Sequence, residues 1–245
     1  SLFTPQEVLD WAWRLPFLLG GVFGLCAVYL RRMLQETPVF AEMQQRHALA
    51  AELPLKTVLR EHRGAIVLSM LLTWVLSAAI VVVILMTPTL LQTLYGFDAA
   101  TALKANSLAI VFLSLGCVAA GAIVDRVGAG RVLLLGGVLL GVTSWTFYSS
   151  LKLHPEWLFP LYALTGLFVG TIGAVPFVMV NAFPPVVRFS GLSFSYNVAY
   201  AIFGGLTPLV VSLLIKADPL GPAYYVAALC GLAVIIGLYL RGRGR

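Results

Sequence analysis

The chain has 245 residues, 60% of them hydrophobic and 11% charged, with a formal net charge of +6 and a mean hydropathy of +0.95. A soluble domain carries about a quarter of its residues as charges, so this composition excludes a water-soluble globule. The basic excess is spread between apolar runs and forms no cluster on a soluble face. That excludes a nucleic-acid binder and leaves the basic loops of a membrane protein.

The opening, Ser1–Phe17, has no initiating Met and lacks the basic, apolar, small-residue order of a signal peptide. It reads as the start of a fragment. The first run free of Asp, Glu, Lys and Arg is Leu15–Leu30, 16 residues. A membrane helix needs about 20, and Trp11–Trp13 with a snorkelling Arg14 extends it. Residues 31–63 form the one long polar connection. Its pieces around Glu42–Arg46 and Leu53–Gly64 are amphipathic and expected to lie on the membrane face.

Six longer charge-free runs follow: Gly64–Phe97, Ala105–Val124, Val132–Leu151, Trp157–Val187, Phe189–Ile215 and Pro219–Leu240. Pro88 and Gly96 are expected to end the second helix near Tyr95. Asn181, Pro184 and Pro185 are expected to end the fifth, and Ser190–Gly191 to precede the sixth. Seven crossings result. Buried soluble helices fail as an alternative, because seven apolar spans leave no polar face for an outer layer. β-Branched pieces such as Ala79–Leu85 permit strands, but the run lengths are helical and no period-two alternation appears. Cys26, Cys117 and Cys230 lie inside apolar runs and are expected to be buried thiols. Their number and spacing give no disulfide framework and no metal site.

Lys and Arg fix the orientation. With residues 31–63 on one side, seven crossings put twelve of the sixteen Lys and Arg on that side. That side is expected to be the cytoplasm, with the C-terminus inside and an inner-membrane location. The domain plan is then 1–30 as the end of one bundle, 31–63 as a central cytoplasmic loop, 64–240 as a six-helix bundle, and 241–245 as a tail.

Asp125, Arg126, Gly128 and Arg131 make a charged turn between two apolar runs. Glycine allows a tight bend there, and the arginines serve the basic bias. Polar and aromatic side chains inside apolar spans mark a cavity between helices. The candidates are Thr73, Trp74 and Ser77, then Asn106, which opens the third span with Ser107, then Tyr196, Asn197 and Tyr200. The bland alternatives are local backbone bonding for the hydroxyls and interhelical packing for the last three. Asn197 stands out, since an embedded carboxamide needs partners for donor and acceptor alike. No Asp, Glu, Lys, Arg or His lies mid-span from Gly64 to Leu240. His47, His62 and His154 are loop residues. Gly137 with Gly141, and Gly166 with Gly170, have small-xxx-small spacing for close helix packing. Pro176 and Pro208 are expected to kink their helices.

The segments "RLPFLLGG", "YLRRMLQETPVF", "VDRVGAGR" and "NAFPPVVRFSGLSFSYNVAYAIFGGLTPLV" resemble the metabolite:proton symporter family of the major facilitator superfamily. The likeness runs over essentially the whole chain. It corresponds to the sixth helix, the central loop and helices seven to twelve. The resemblance implies an all-α membrane protein: the C-terminal six-helix bundle of a major facilitator fold, plus the preceding helix and loop. It implies a missing N-terminal bundle as partner, a small-molecule metabolite as substrate, and a proton as coupling ion with no other cofactor. Members carry citrate, 2-oxoglutarate, shikimate, proline or betaine. In the superfamily the similar turn reads D-R-x-G-R-R and locks the two halves on the cytoplasmic side. Asp125, Arg126 and Gly128 match, Ala129 and Gly130 replace the basic pair, and Arg131 arrives late. The implied partner of Asp125 sits in the absent half. Alternatives are an isolated non-transporting half, a channel, which wants a charged ring or filter loop, and a membrane enzyme, which wants clustered His, Asp or Glu.

Overall fold

The computed structural model describes residues 4–33 and 54–243. Chain contacts fall into two bodies, Ser1–Leu49 and Ala50–Arg245. All regular structure among the described residues is helical.

The first body opens with α1 (Pro5–Asp10). The Thr4 hydroxyl accepts from the Glu7 amide at 3.3 Å, and the Glu7 carboxylate accepts from the Thr4 amide at 2.8 Å. This capping box satisfies two orphan donors, and the Thr4 donors hold the Glu7 carboxyl below its usual pKa. A single 3-10 turn, Ala12–Arg14, leads into α2 (Leu15–Met33). The continuous apolar stretch is Ala12–Arg31, 20 residues, so the tryptophan-rich lead-in does lengthen the crossing. Arg14 donates to the Asp10 carbonyl at 2.9 Å and lies 4.5 Å from the Trp13 ring centre. Cys26 is exposed on α2, which corrects the expectation of three buried thiols. This body has no second long helix among its described residues to cover it.

The second body begins with α3 (Pro54–Glu61), whose Val58 is fully buried against Phe183 and Val187. The Glu42–Arg46 piece lies outside the described residues. Six crossings follow. The first is α4 (Arg63–Ala78), a π-helical segment at Ala79–Met86, and α5 (Thr87–Tyr95). Gly96 closes it at φ 75°, a left-handed cap that glycine takes without strain. Pro88 does not end this helix. It sits in the first turn of α5, where a missing N–H is tolerated.

The second crossing is α6 (Ala99–Val127), capped by Asp98, which accepts from the Thr101 amide at 2.9 Å. Hydrogen bonds from Thr101 hold the Asp98 carboxyl below its usual pKa. Gly128, at φ 86°, turns the chain into α7 (Ala129–Ser150). The fourth crossing joins a 3-10 turn at Pro155–Trp157, α8 (Leu158–Val169), a 3-10 segment at Gly170–Gly173, and α9 (Ala174–Ala182). The fifth is α10 (Arg188–Ala199), a second π segment at Tyr200–Gly204, and α11 (Gly205–Ala217). The sixth is α12 (Gly221–Arg243).

Ser190–Gly191 lie inside the first turn of α10 rather than before it. The Phe183 ring packs on Gly191 so closely that an added Cβ would stand 2.5 Å from it, so this glycine makes room instead of breaking the helix. Asn106 and Ser107 likewise lie two turns into α6, because Asp98 starts that helix early.

With the stretch in the first body, seven helical segments of 20 to 33 residues are long and apolar enough to cross a membrane. At about 1.5 Å per residue each spans a hydrocarbon core of about 30 Å. Two glycine seams hold the second body together. Along α6 and α8, an added Cβ at Gly166 would strike the Ala109 backbone, and one at Gly170 would stand 2.5 Å from Gly116. Along α7 and α12, Gly137 faces the Cys230 carbonyl and Gly141 faces the Cys230 side chain. Small residues let these backbones meet, which is how helices attract each other where the solvent is as apolar as they are.

Candidate functional site

Among the cavity candidates, Thr73 and Ser77 are buried. Thr73 donates to the Ser69 carbonyl at 2.8 Å and Ser77 to the Trp74 carbonyl at 3.0 Å. Both hydroxyls bond their own helix, and Thr73 also approaches the Met179 sulfur at 3.7 Å. Ser69, one turn earlier and missed in the sequence, is fully buried with no partner for its own hydroxyl.

Trp74 is half-buried and turns away from Thr73. Its ring stacks on Phe203 with centroids 4.3 Å apart, and its indole N–H donates to the Tyr225 hydroxyl at 3.1 Å. Tyr225 and Thr207 pair at 2.8 Å, and Thr207 donates to the Phe203 carbonyl at 2.6 Å. Each hydroxyl has one proton, so the direction is fixed: Trp74 to Tyr225, Tyr225 to Thr207, Thr207 to the Phe203 carbonyl.

Asn106 meets Tyr162. The phenol oxygen lies 2.5 Å from the Asn106 carboxamide and 2.6 Å from the Val83 carbonyl. The phenol is the donor toward both acceptors, the Asn106 Oδ1 and the Val83 carbonyl, and shares its one proton between them. Tyr196 and Tyr200 share a face with ring centroids 5.5 Å apart. Asn197 is exposed, and its amide donates to the Ser193 carbonyl at 2.8 Å. The structure therefore joins α4, α11 and α12 through Trp74, and α6 and α8 through Asn106. Tyr196 and Asn197 stay on the open surface of α10. Phe203, Thr207, Tyr225 and Tyr162 escaped the sequence reading, because aromatic and hydroxyl groups at helical spacing look like ordinary core.

The charged turn ends α6 and begins α7. Asp125, Arg126, Gly128 and Arg131 are all exposed. Arg131 reaches back to the Val127 carbonyl at 3.5 Å. Asp125 and Arg126 make no hydrogen bond or ion pair with another described residue. An unpaired carboxylate at a helix C-terminus faces the negative end of the helix dipole, so Asp125 gains nothing locally.

The model of the Major Facilitator Superfamily matches residues 7–208. The citrate-proton symporter of Klebsiella pneumoniae is 30% identical over 98% of this chain and 55% of its own length. The citrate-proton symporter of Salmonella typhi is 31% identical over 96% of this chain and 55% of its own length. A putative proline/betaine transporter of Staphylococcus aureus (strain COL) is 28% identical over 99% of this chain and 53% of its own length. The chain thus spans about half the length of the curated relatives it matches. No solved structure matches it. The relatives carry transporter names, which sets the enzyme reading aside. With a family match over most of its residues and seven apolar helical stretches, the chain is a multi-pass membrane protein of the major facilitator superfamily.

Proposed function

We propose that this chain works as the C-terminal half of a proton-coupled symporter for a small organic acid or a zwitterionic metabolite. Such a carrier acts by alternating access, in which one bundle rocks against another around a midplane site. The observation that carries the reading is the match of nearly the whole chain to only about half of each symporter-like relative. The charge pattern supports it. No Asp, Glu, Lys, Arg or His lies mid-span in the second body's sequence, so the proton carrier and the main anion-binding group belong to the other bundle. This half would supply aromatic and amide surface: Trp74, Asn106, Tyr196, Asn197 and Tyr200. The basic bias puts the charged turn and the C-terminus in the cytoplasm of an inner-membrane protein.

Asp125 would then complete its bonding across the cytoplasmic interface, to a helix N-terminus or a guanidinium of the other half. The test is Asp125→Asn in the complete transporter. Uptake should slow, or the protein should shift toward the inward-open state. Normal uptake together with unchanged accessibility of inward-facing cysteines would remove that role. Counterflow with labelled organic acids and zwitterions tests the carrier itself: exchange should saturate, and a flux that never saturates would mean a channel.

A further inference from the structure

At the end of the second body that carries the charged turn, a pocket of about 690 Å³ opens between the start of α7, the end of α9 and the end of α12. Arg131, Arg241 and Asn181 line it, and among the described residues no Asp or Glu does. Leu68, Phe177 and Leu240 give it an apolar wall. The sequence builds this opening through two glycines. An added Cβ at Gly130 would stand 2.9 Å from the Gly237 carbonyl and 3.0 Å from the Arg241 amide. One at Gly237 would stand 2.7 Å from the Gly130 carbonyl. Backbone contact between α7 and α12 therefore brings Arg131 and Arg241 to one mouth. A larger residue at Gly130, such as the basic one of the superfamily pattern, would push the two helix ends apart.

Both arginines are exposed. Arg131 has its long bond to Val127, and Arg241 makes no hydrogen bond or ion pair with another described residue. Two guanidinium groups at one mouth repel each other, and an anion between them relieves that repulsion. The planar fork of Arg matches phosphate in two parallel hydrogen bonds. Gly128 offers no side-chain cap to the first turn of α7, and Gly128, Ala129 and Gly130 line the same pocket. A phosphate group alone fills a small part of 690 Å³. The apolar wall is used only when carbon follows the phosphate into the pocket.

We infer that this pocket binds a phosphate ester, and that its apolar wall selects the head and first carbons of an anionic phospholipid. Basic pockets between helices at a membrane face are suited to such heads. The inference does not depend on what the protein transports.

Native mass spectrometry of the purified protein, delipidated and offered phosphatidylglycerol or phosphatidylcholine, tests it. Phosphatidylglycerol should bind with higher occupancy. Arg131→Gln with Arg241→Gln should cut its affinity roughly tenfold, while Lys152→Gln at the other end of α7 should not. Millimolar inorganic phosphate or glycerol phosphate should not displace it. Equal occupancy of the two lipids, or unchanged binding in the double variant, would overturn the inference. Displacement by the soluble phosphates would overturn its lipid part and leave a free phosphate ester as the ligand. Should the double variant fail to fold, a photoactivatable phosphatidylglycerol on the wild-type protein decides. Labels should fall on residues 127–131, 177–182 and 240–241, and labels elsewhere would refute the site.

Discussion

Two crossings of the second body contain the same dipeptide, Thr-Pro, and the same distortion before it. Thr87–Pro88 follows the π segment at Ala79–Met86, and Thr207–Pro208 follows the π segment at Tyr200–Gly204. A proline inside a helix removes one bond and crowds the carbonyl four residues back, and local widening of the helix relieves both. The threonine then takes up a carbonyl of the widened segment: Thr87 donates to Val82 at 2.9 Å, Thr207 to Phe203 at 2.6 Å. A tyrosine from another helix donates to each threonine, Tyr148 at 2.7 Å and Tyr225 at 2.8 Å. The difference is burial. Val82, Val83, Thr87 and Tyr148 are all within 1% of complete burial, whereas no residue of the second π segment is buried. One local chemistry is thus used twice, once wholly inside the core and once where a buried threonine, Thr207, bonds a π segment and a tyrosine that are only partly buried.

The largest effect that separates the two sites should come from removing the threonine hydroxyls. Thr87→Val removes the donor to the Val82 carbonyl and the acceptor of the Tyr148 phenol inside the core, and each buried orphan costs about 1–3 kcal/mol. Thr207→Val strands partners, Phe203 and Tyr225, that are only half-buried and less costly to leave unpaired. Thermal unfolding in detergent should show a clearly larger loss for Thr87→Val. Equal losses would mean that burial does not distinguish the two joints.

A smaller effect should follow from the tyrosines. Tyr148→Phe leaves Thr87 bonded to Val82 and removes one interhelical bond, worth about 0.6 kcal/mol on average in a membrane protein. Tyr225→Phe removes the acceptor of the Trp74 indole as well, on the half-buried face. Its stability loss should be similar, but Trp74 should be freed to move, with a red-shifted indole emission and weaker protection from aqueous quenchers. An unchanged Trp74 signal would show that the Phe203 stack alone holds the ring.

These joints also mark what could be read from sequence. Six of the seven crossings were legible because charge is absent over 20 residues or more, and a bilayer imposes that length. That Pro208 would disturb its helix was legible from the proline itself, and the disturbance is a π segment at Tyr200–Gly204. The matching device at Pro88 was not: glycine and proline close together looked like a helix end, when only Gly96, with its positive φ, is one. What hid the likeness is that the partners come from distant helices. Tyr148 lies 61 residues from Thr87, and Tyr225 lies 18 from Thr207. For the same reason Trp74 and Asn106 could be picked out as polar groups in apolar spans while their partners, Tyr225 and Tyr162, could not. On α10, Tyr196 and Asn197 face outward, and their contacts within this bundle are local: the Tyr200 ring and the Ser193 carbonyl.

The smallest effect sharpens the comparison by being absent. Neither Thr-Pro joint touches an Asp, Glu, Lys, Arg or His among its hydrogen-bond partners. A carboxyl with a depressed pKa in the second body lies just outside a crossing: Asp98, held down by Thr101. A depressed carboxyl contributes stability above its unfolded value of about 4, and loses it as pH falls through the lower folded value. Acid below about pH 4 therefore removes that local contribution, equally in Thr87→Val and Thr207→Val. The gap in unfolding temperature between the two variants should stay constant from about pH 5 to pH 8. A gap that widened or closed across that range would place a titrating group against one of the joints, and would give that joint a share in proton movement that its uncharged surroundings otherwise deny it.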